Sequence, residues 1–183
     1  PESWGSPSTW PAATGWRTCR LWAWAIPGWP FWTFIAVLVV LHFVLHLSFG
    51  LGTSAPDLLT VAVLLGARQL AGGRAAGLGF LLGVLEDAVS VTAFGAAAIT
   101  QTVIGYLGAR SRDLFVGDSL LFLGLYLFLG KWGRDALYYG VAEVMRRGDA
   151  WGALLLRAPL AALYAAVAGV VAIVIYRSLT RSR

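Results

Sequence analysis

Long stretches of this chain carry almost no charge, and that limits its fold more than any other feature. Residues 31–49, 116–130 and 158–176 are the clearest cases. An apolar run of about 20 residues, rising about 1.5 Å per residue, matches a hydrocarbon core roughly 30 Å thick. Several such runs in 183 residues leave little room for a water-soluble domain. The pattern predicts an all-α integral membrane protein, a compact bundle of about six transmembrane helices. Composition agrees: 58% of residues are hydrophobic and 13% charged, against about 25% charged in soluble domains. A net charge of +5 in a soluble chain would suggest nucleic acid. Here it is read through topology instead, and the expected surroundings are membrane lipid, with no nucleic-acid partner.

Three regions are expected. Residues 1–30 hold five of the seven prolines and six of the nine tryptophans, interleaved with Arg17 and Arg20. They read as an N-terminal arm lying partly in the headgroup region. The six-helix domain spans 31–176, and 177–183 form a basic cytoplasmic tail. Within the domain the expected helices are 31–49, a short one from Ser54 as cap to Arg68, 75–91, 96–109, one from about 114 to Lys131, and 151–176. Gly72 and Gly73 read as part of a polar turn. Residues 131–151 mix charges with Leu137, Tyr138 and Val141, and read as an amphipathic or loop segment or the extended end of the fifth helix. Cys19 is the single cysteine, so no internal disulfide or cysteine-based zinc site is expected.

Orientation follows from arginine placement. With both termini in the cytoplasm, Arg17, Arg20, Arg68, Arg74, Arg110, Arg112, Arg177, Arg181 and Arg183 fall inside, and the two short outer turns carry no basic residue. Lys131, Arg134, Arg146, Arg147 and Arg157 fall in or beside a long outer loop, where Asp135, Glu143 and Asp149 partly neutralise them. The positive-inside rule favours this multi-pass orientation.

Membrane helices associate through close packing of small residues. Ala75, Gly79, Gly83 and Asp87 recur every fourth residue in the third helix and therefore share a face. Gln101, Gly105 and Gly108 line one side of the fourth, and Ala158 to Ala172 supply a third ridge. Glu86 and Asp87 stand out, because a carboxylate at bilayer depth costs at least about 2.5–3.5 kcal/mol. The functional reading is a ligand, ion or proton site. The structural reading, which is preferred, is an acid near the outer end of a short helix, capping a turn or partnered by Gln101, Lys131 or Arg134, so that Asp87→Asn is mild.

His42 and His46 lie four apart and form an intramembrane polar pair. No third ligand stands at a supporting spacing, so no metal is expected. No phosphate-binding loop, nucleophile elbow, zinc-protease or dinucleotide motif is present in the sequence. No catalytic residue and no cofactor are assigned, and no enzyme activity is expected.

The stretch Pro56-Asp57-Leu58-Leu59, the glycine-spaced run from Gly77 to Asp87, Phe94-Gly95, and Gly105-Tyr106-Leu107-Gly108-Ala109-Arg110 together resemble MreD. That family is the small membrane subunit of the bacterial rod-shape (elongasome) complex. Asp87 takes the family's acid position, and Glu86 before it departs from the pattern. The resemblance implies a non-enzymatic scaffold in the bacterial cytoplasmic membrane. Its partners would be a single-span MreC-type protein and, indirectly, cell-wall synthases and MreB-type filaments, with a homodimer also allowed. It also implies a fold similar to the substrate-binding subunits of energy-coupling-factor transporters. The rival expectation is therefore a vitamin-binding subunit of such an importer. The first helix lacks a small-residue ridge for a coupling partner, which favours the scaffold.

Overall fold

The computed structural model describes residues 28–48, 56–89, 94–111, 119–145 and 158–181. They form six α-helices: α1 (Trp29–Ser48), α2 (Leu58–Ala67), α3 (Gly72–Val89), α4 (Ala96–Ser111), α5 (Leu120–Met145) and α6 (Ala158–Arg181). No strand occurs among the described residues. Two helices are long and apolar enough to cross a membrane by length and composition alone, over Trp29–His46 and Ala158–Thr180.

The short α2 is the hub. Its sequence is apolar all round except at Thr60, as suits a helix with no free face, and all ten of its residues are buried. It touches each of the other five helices. Val61, Leu64 and Leu65 meet Leu38 of α1, Ile104 of α4, Leu127 of α5 and Ile173 of α6 in one core. The face that α1 buries, Phe31, Ile35, Leu38 and His42, keeps helical spacing. Gly169 of α6 lets α5 and α2 approach, since a Cβ there would lie 2.7 Å from Leu127 Cδ1 and 3.0 Å from Val61 Cγ1.

The helix bounds differ from the sequence reading in four places. Trp29 and Pro30 belong to α1, because proline is tolerated in a first turn, where its missing N–H has no acceptor to lose. Asp57, not Ser54, caps α2: its carboxylate accepts from Thr60 N at 3.0 Å and from Thr60 Oγ1 at 2.7 Å. Ser54, like Cys19 and the rest of residues 1–27, lies outside the described residues. Gly72 and Gly73 open α3 instead of forming a turn; Gly72 faces the Tyr106 ring, which would stand 3.1 Å from a Cβ.

For the segment after Lys131 the structure selects one of the alternatives left open, the extended end of the fifth helix. α5 does not stop at Lys131 but continues to Met145. Its buried face runs Leu123, Tyr126, Leu127, Lys131, Arg134, Asp135 without a change of period. The charges that end the apolar run therefore lie on the interior stripe of the same helix, and Lys131 and Arg134 do not belong to an exposed outer loop. Finally, α6 carries Arg177 and Arg181 within it, so the basic tail is in large part helical.

Candidate functional site

The charged residues gather at one end of the bundle, where the α2 N-terminus, the α3 C-terminus and the α4 N-terminus meet the middle of α5. Asp57 sits at the centre because it is the α2 cap, fixed by Thr60. Lys131 Nζ of α5 lies 3.0 Å from Asp57 Oδ2 and also pairs with Asp135 one turn on. Arg134 lies between three carboxylates. Its Nη2 donates to Glu86 Oε1, while Nη1 is 3.4 Å from Asp135 Oδ1 and 3.6 Å from Asp57 Oδ2. Its guanidinium also stands 5.0 Å from the centre of the Tyr138 ring, within cation–π range. Lys131, Arg134 and Asp135 are each at most 7% exposed. Buried charges of this kind persist only when paired and hydrogen-bonded, and these are paired across α2, α3 and α5.

Gln101 of α4 joins the same network. Its Nε2 donates to Thr60 Oγ1 at 3.0 Å and makes a long contact of 3.4 Å with Glu86 Oε2. Among the described residues three buried atoms of the cluster have no hydrogen-bond partner: His42 Nδ1, Gln101 Oε1 and Arg134 Nε. His42 Nδ1 points at Asp57 Oδ1 from 3.9 Å, beyond hydrogen-bonding range.

Asp87 and Glu86 are adjacent but do different things. Among the described residues Asp87 takes no side-chain partner. Its Oδ1 accepts from Ala97 N at 3.1 Å and its Oδ2 from Ala98 N at 2.8 Å. These are the second and third residues of α4, whose donors an N-cap side chain ordinarily satisfies. The residue at the cap position is Gly95, at φ 93°, which has no side chain to offer. Asp87 supplies the missing cap from the preceding helix, and its charge faces the positive end of the α4 dipole. The Gln101 and arginine partners expected for Asp87 go to Glu86 instead. The reason is angular, since one residue along a helix turns the side chain by about 100°, away from the α4 terminus and toward α5.

The α3–α4 contact behind these acids is backbone on backbone. The buried residues of α3 are Ala75, Gly79, Gly83 and Asp87. A Cβ on Gly79 would stand 2.1 Å from the Gln101 carbonyl oxygen, one on Gly83 2.6 Å from that of Ala97, and one on Gly105 2.4 Å from that of Ala75. This approach brings Ala97 and Ala98 within reach of Asp87.

The two histidines stack, with ring centroids 4.2 Å apart at 34°. They do not hydrogen-bond to each other through their side chains; His46 Nδ1 lies 3.1 Å from the His42 carbonyl oxygen. Among the described residues no three His, Cys, Asp or Glu side chains are gathered to hold a metal ion.

The sequence reading did not single out Asp57, Thr60 or Asp135 as site residues, and named Lys131 and Arg134 only as partners for Asp87. Their signal was present: Lys131, Arg134 and Asp135 follow Leu123 and Leu127 at helical spacing. Comparison with protein-family models, with curated proteins and with solved structures finds no match to this chain.

Proposed function

We propose that this chain is a multi-pass scaffold of the bacterial cytoplasmic membrane, of the MreD type, with six membrane-embedded helices and both termini in the cytoplasm. In this reading it carries out no chemistry. It holds a single-span MreC-type partner and through it acts on cell-wall synthases and MreB-type filaments, in a fold similar to the substrate-binding subunits of energy-coupling-factor transporters.

The observation that carries the reading is the inverted polarity of the bundle. Its interior end holds Asp57, Lys131, Arg134 and Asp135, while Leu121, Leu160, Leu81 and Phe94 are at least two-thirds exposed. Large side chains such as Val40, Val103 and Val171 extend that apolar exterior over α1, α4 and α6. Proteins in water rarely expose contiguous apolar surface beyond a few hundred Å², so an apolar surrounding is the natural one. A bundle whose interior charges pair with one another leaves its lipid-facing helices as the surface for a partner's helix, and this supports the scaffold over the importer.

Two experiments test it. After Cys19→Ser, single cysteines at Gln69, in the α2–α3 turn, and at Phe94, in the α3–α4 turn, are challenged with an impermeant thiol reagent in intact cells. Labelling at 94 and protection at 69 is the expected result, and the reverse overturns the orientation. Depletion should turn rods into spheres, and a single-span protein should co-purify from native membranes. Normal rods together with vitamin uptake by vesicles containing the chain would favour the importer instead.

A further inference from the structure

Among the described residues the ion cluster does not balance. Asp57, Glu86 and Asp135 supply three carboxylates, and Lys131 and Arg134 supply two cations. The other groups facing Glu86 do not correct this. Gln101 of α4 is neutral, the Asp87 carboxyl on the same helix is occupied by the α4 backbone, and the α1 side offers only His42, 3.9 Å from Asp57. An uncompensated charge in a buried site is costly enough that the group neutralises by taking up a proton.

The hydrogen bonds say which carboxyl takes it. Asp57 accepts from Thr60 N and Thr60 Oγ1 and meets both cations. Asp135 meets both cations as well. Donors of this kind hold a carboxyl in its charged form. Glu86 meets a single cation, Arg134 on Oε1, and on Oε2 only the neutral Gln101 amide at 3.4 Å. Glu86 is also the cluster's most open carboxyl, its side chain 21% exposed against 12% for Asp57 and 10% for Asp135, so a proton from solvent reaches it first.

Gln101 adds a second, independent observation. It is fully buried and its Oε1 has no donor among the described residues. Turning its amide over exchanges nitrogen and oxygen. Oε1 then faces Thr60 Oγ1 and Glu86 Oε2 at the separations Nε2 now has: the Thr60 hydroxyl turns from Asp57 Oδ2 to donate to it, Asp57 keeping Thr60 N and both cations, and Glu86 can be the second donor only as a protonated carboxyl.

We propose that the Glu86–Gln101–Arg134 constellation is a proton-binding site: Glu86 carries a proton on Oε2, donated to Gln101 Oε1, while Oε1 of Glu86 still accepts from Arg134. The proton comes from bulk water and leaves the cluster with two negative and two positive charges. The site rests on burial and ion-pair geometry and holds whether or not the scaffold reading does.

The test is infrared spectroscopy of the purified full-length chain in lipid vesicles at neutral pH, read in the C=O stretch of protonated carboxyls. The chain has only three glutamates, Glu2, Glu86 and Glu143. The expected result is a band that shifts on ¹³C-glutamate labelling, is unmoved by ¹³C-aspartate, and is absent in Glu86→Gln. Should Glu86→Gln fail to fold, the double variant Glu2→Gln/Glu143→Gln serves in its place, and the glutamate band must persist in it. No protonated-carboxyl band, or one that shifts with labelled aspartate, overturns the assignment.

Discussion

The carboxylate of Asp87, at the end of α3, accepts the backbone N–H of Ala98 in α4 at 2.8 Å, and so caps a helix to which it does not belong. Its other oxygen takes Ala97 N, so both acceptors are used. Asn offers one acceptor and turns its NH₂ toward a backbone donor, so the expectation of a mild Asp87→Asn does not fit this geometry. The expected loss is about 1–3 kcal/mol, with Asp87→Ala costing more, because it strands two buried donors. Thermal unfolding in detergent of the two variants beside the parent chain checks this. An Asp87→Asn variant as stable as the parent would contradict the cap.

The glycines of α3 divide by what a methyl group would meet. Gly79→Ala and Gly83→Ala drive a Cβ into the α4 backbone, which cannot yield as a flexible side chain can. Each is expected to cost at least the roughly 1–3 kcal/mol typical of overpacking. Gly77 has nothing within 4 Å of its Cβ position. Gly77→Ala should be neutral or stabilise by up to about 1 kcal/mol through helix propensity. Equal effects at 77 and 79 in the same unfolding assay would rule out backbone contact as the cause.

Arg134 serves three carboxylates, so its removal should exceed any single loss around it. Arg134→Gln leaves buried negative charge unpaired, and about 3–5 kcal/mol of destabilisation is expected. If Glu86 is already neutral, Glu86→Gln alone should be much milder. The double variant Arg134→Gln/Glu86→Gln then recovers little, because Asp57 and Asp135 still lack their partner. A double-mutant cycle read by chemical denaturation measures these terms. A Glu86→Gln loss as large as that of Arg134→Gln would show Glu86 to be the charged half of the pair.

Tyr126 of α5 donates its hydroxyl to the Leu64 carbonyl near the α2 C-terminus at 3.0 Å. The Tyr126 hydroxyl oxygen would stand 2.8 Å from a Cβ on Gly108. Tyr126→Phe should cost about 0.5–1.5 kcal/mol, while Gly108→Ala displaces the ring and should cost more. Combining the two should be less than additive, since both act on one contact; strict additivity in their melting shifts would separate them.

The sequence by itself determined the helical class and the α3 stripe of Ala75, Gly79, Gly83 and Asp87. Spacing of four residues fixes which side chains share a helix face wherever the helix ends up. It also marked Glu86 and Asp87 as acids out of place in an apolar run. It did not determine their partners, because a partner depends on the angle at which another helix arrives. A turn of about 100° between neighbours sent Asp87 to the α4 backbone and Glu86 to Arg134. Only the tertiary structure decided that Asp57, and not Ser54, caps α2 and stands at the centre of an ion cluster. Only it decided that α5 continues beyond Lys131. The break in hydropathy at Lys131 looks like a helix end along the chain. In three dimensions it is where an interior stripe passes from leucines to charges, which are stable there because α2 and α3 bring the opposite charges to meet them.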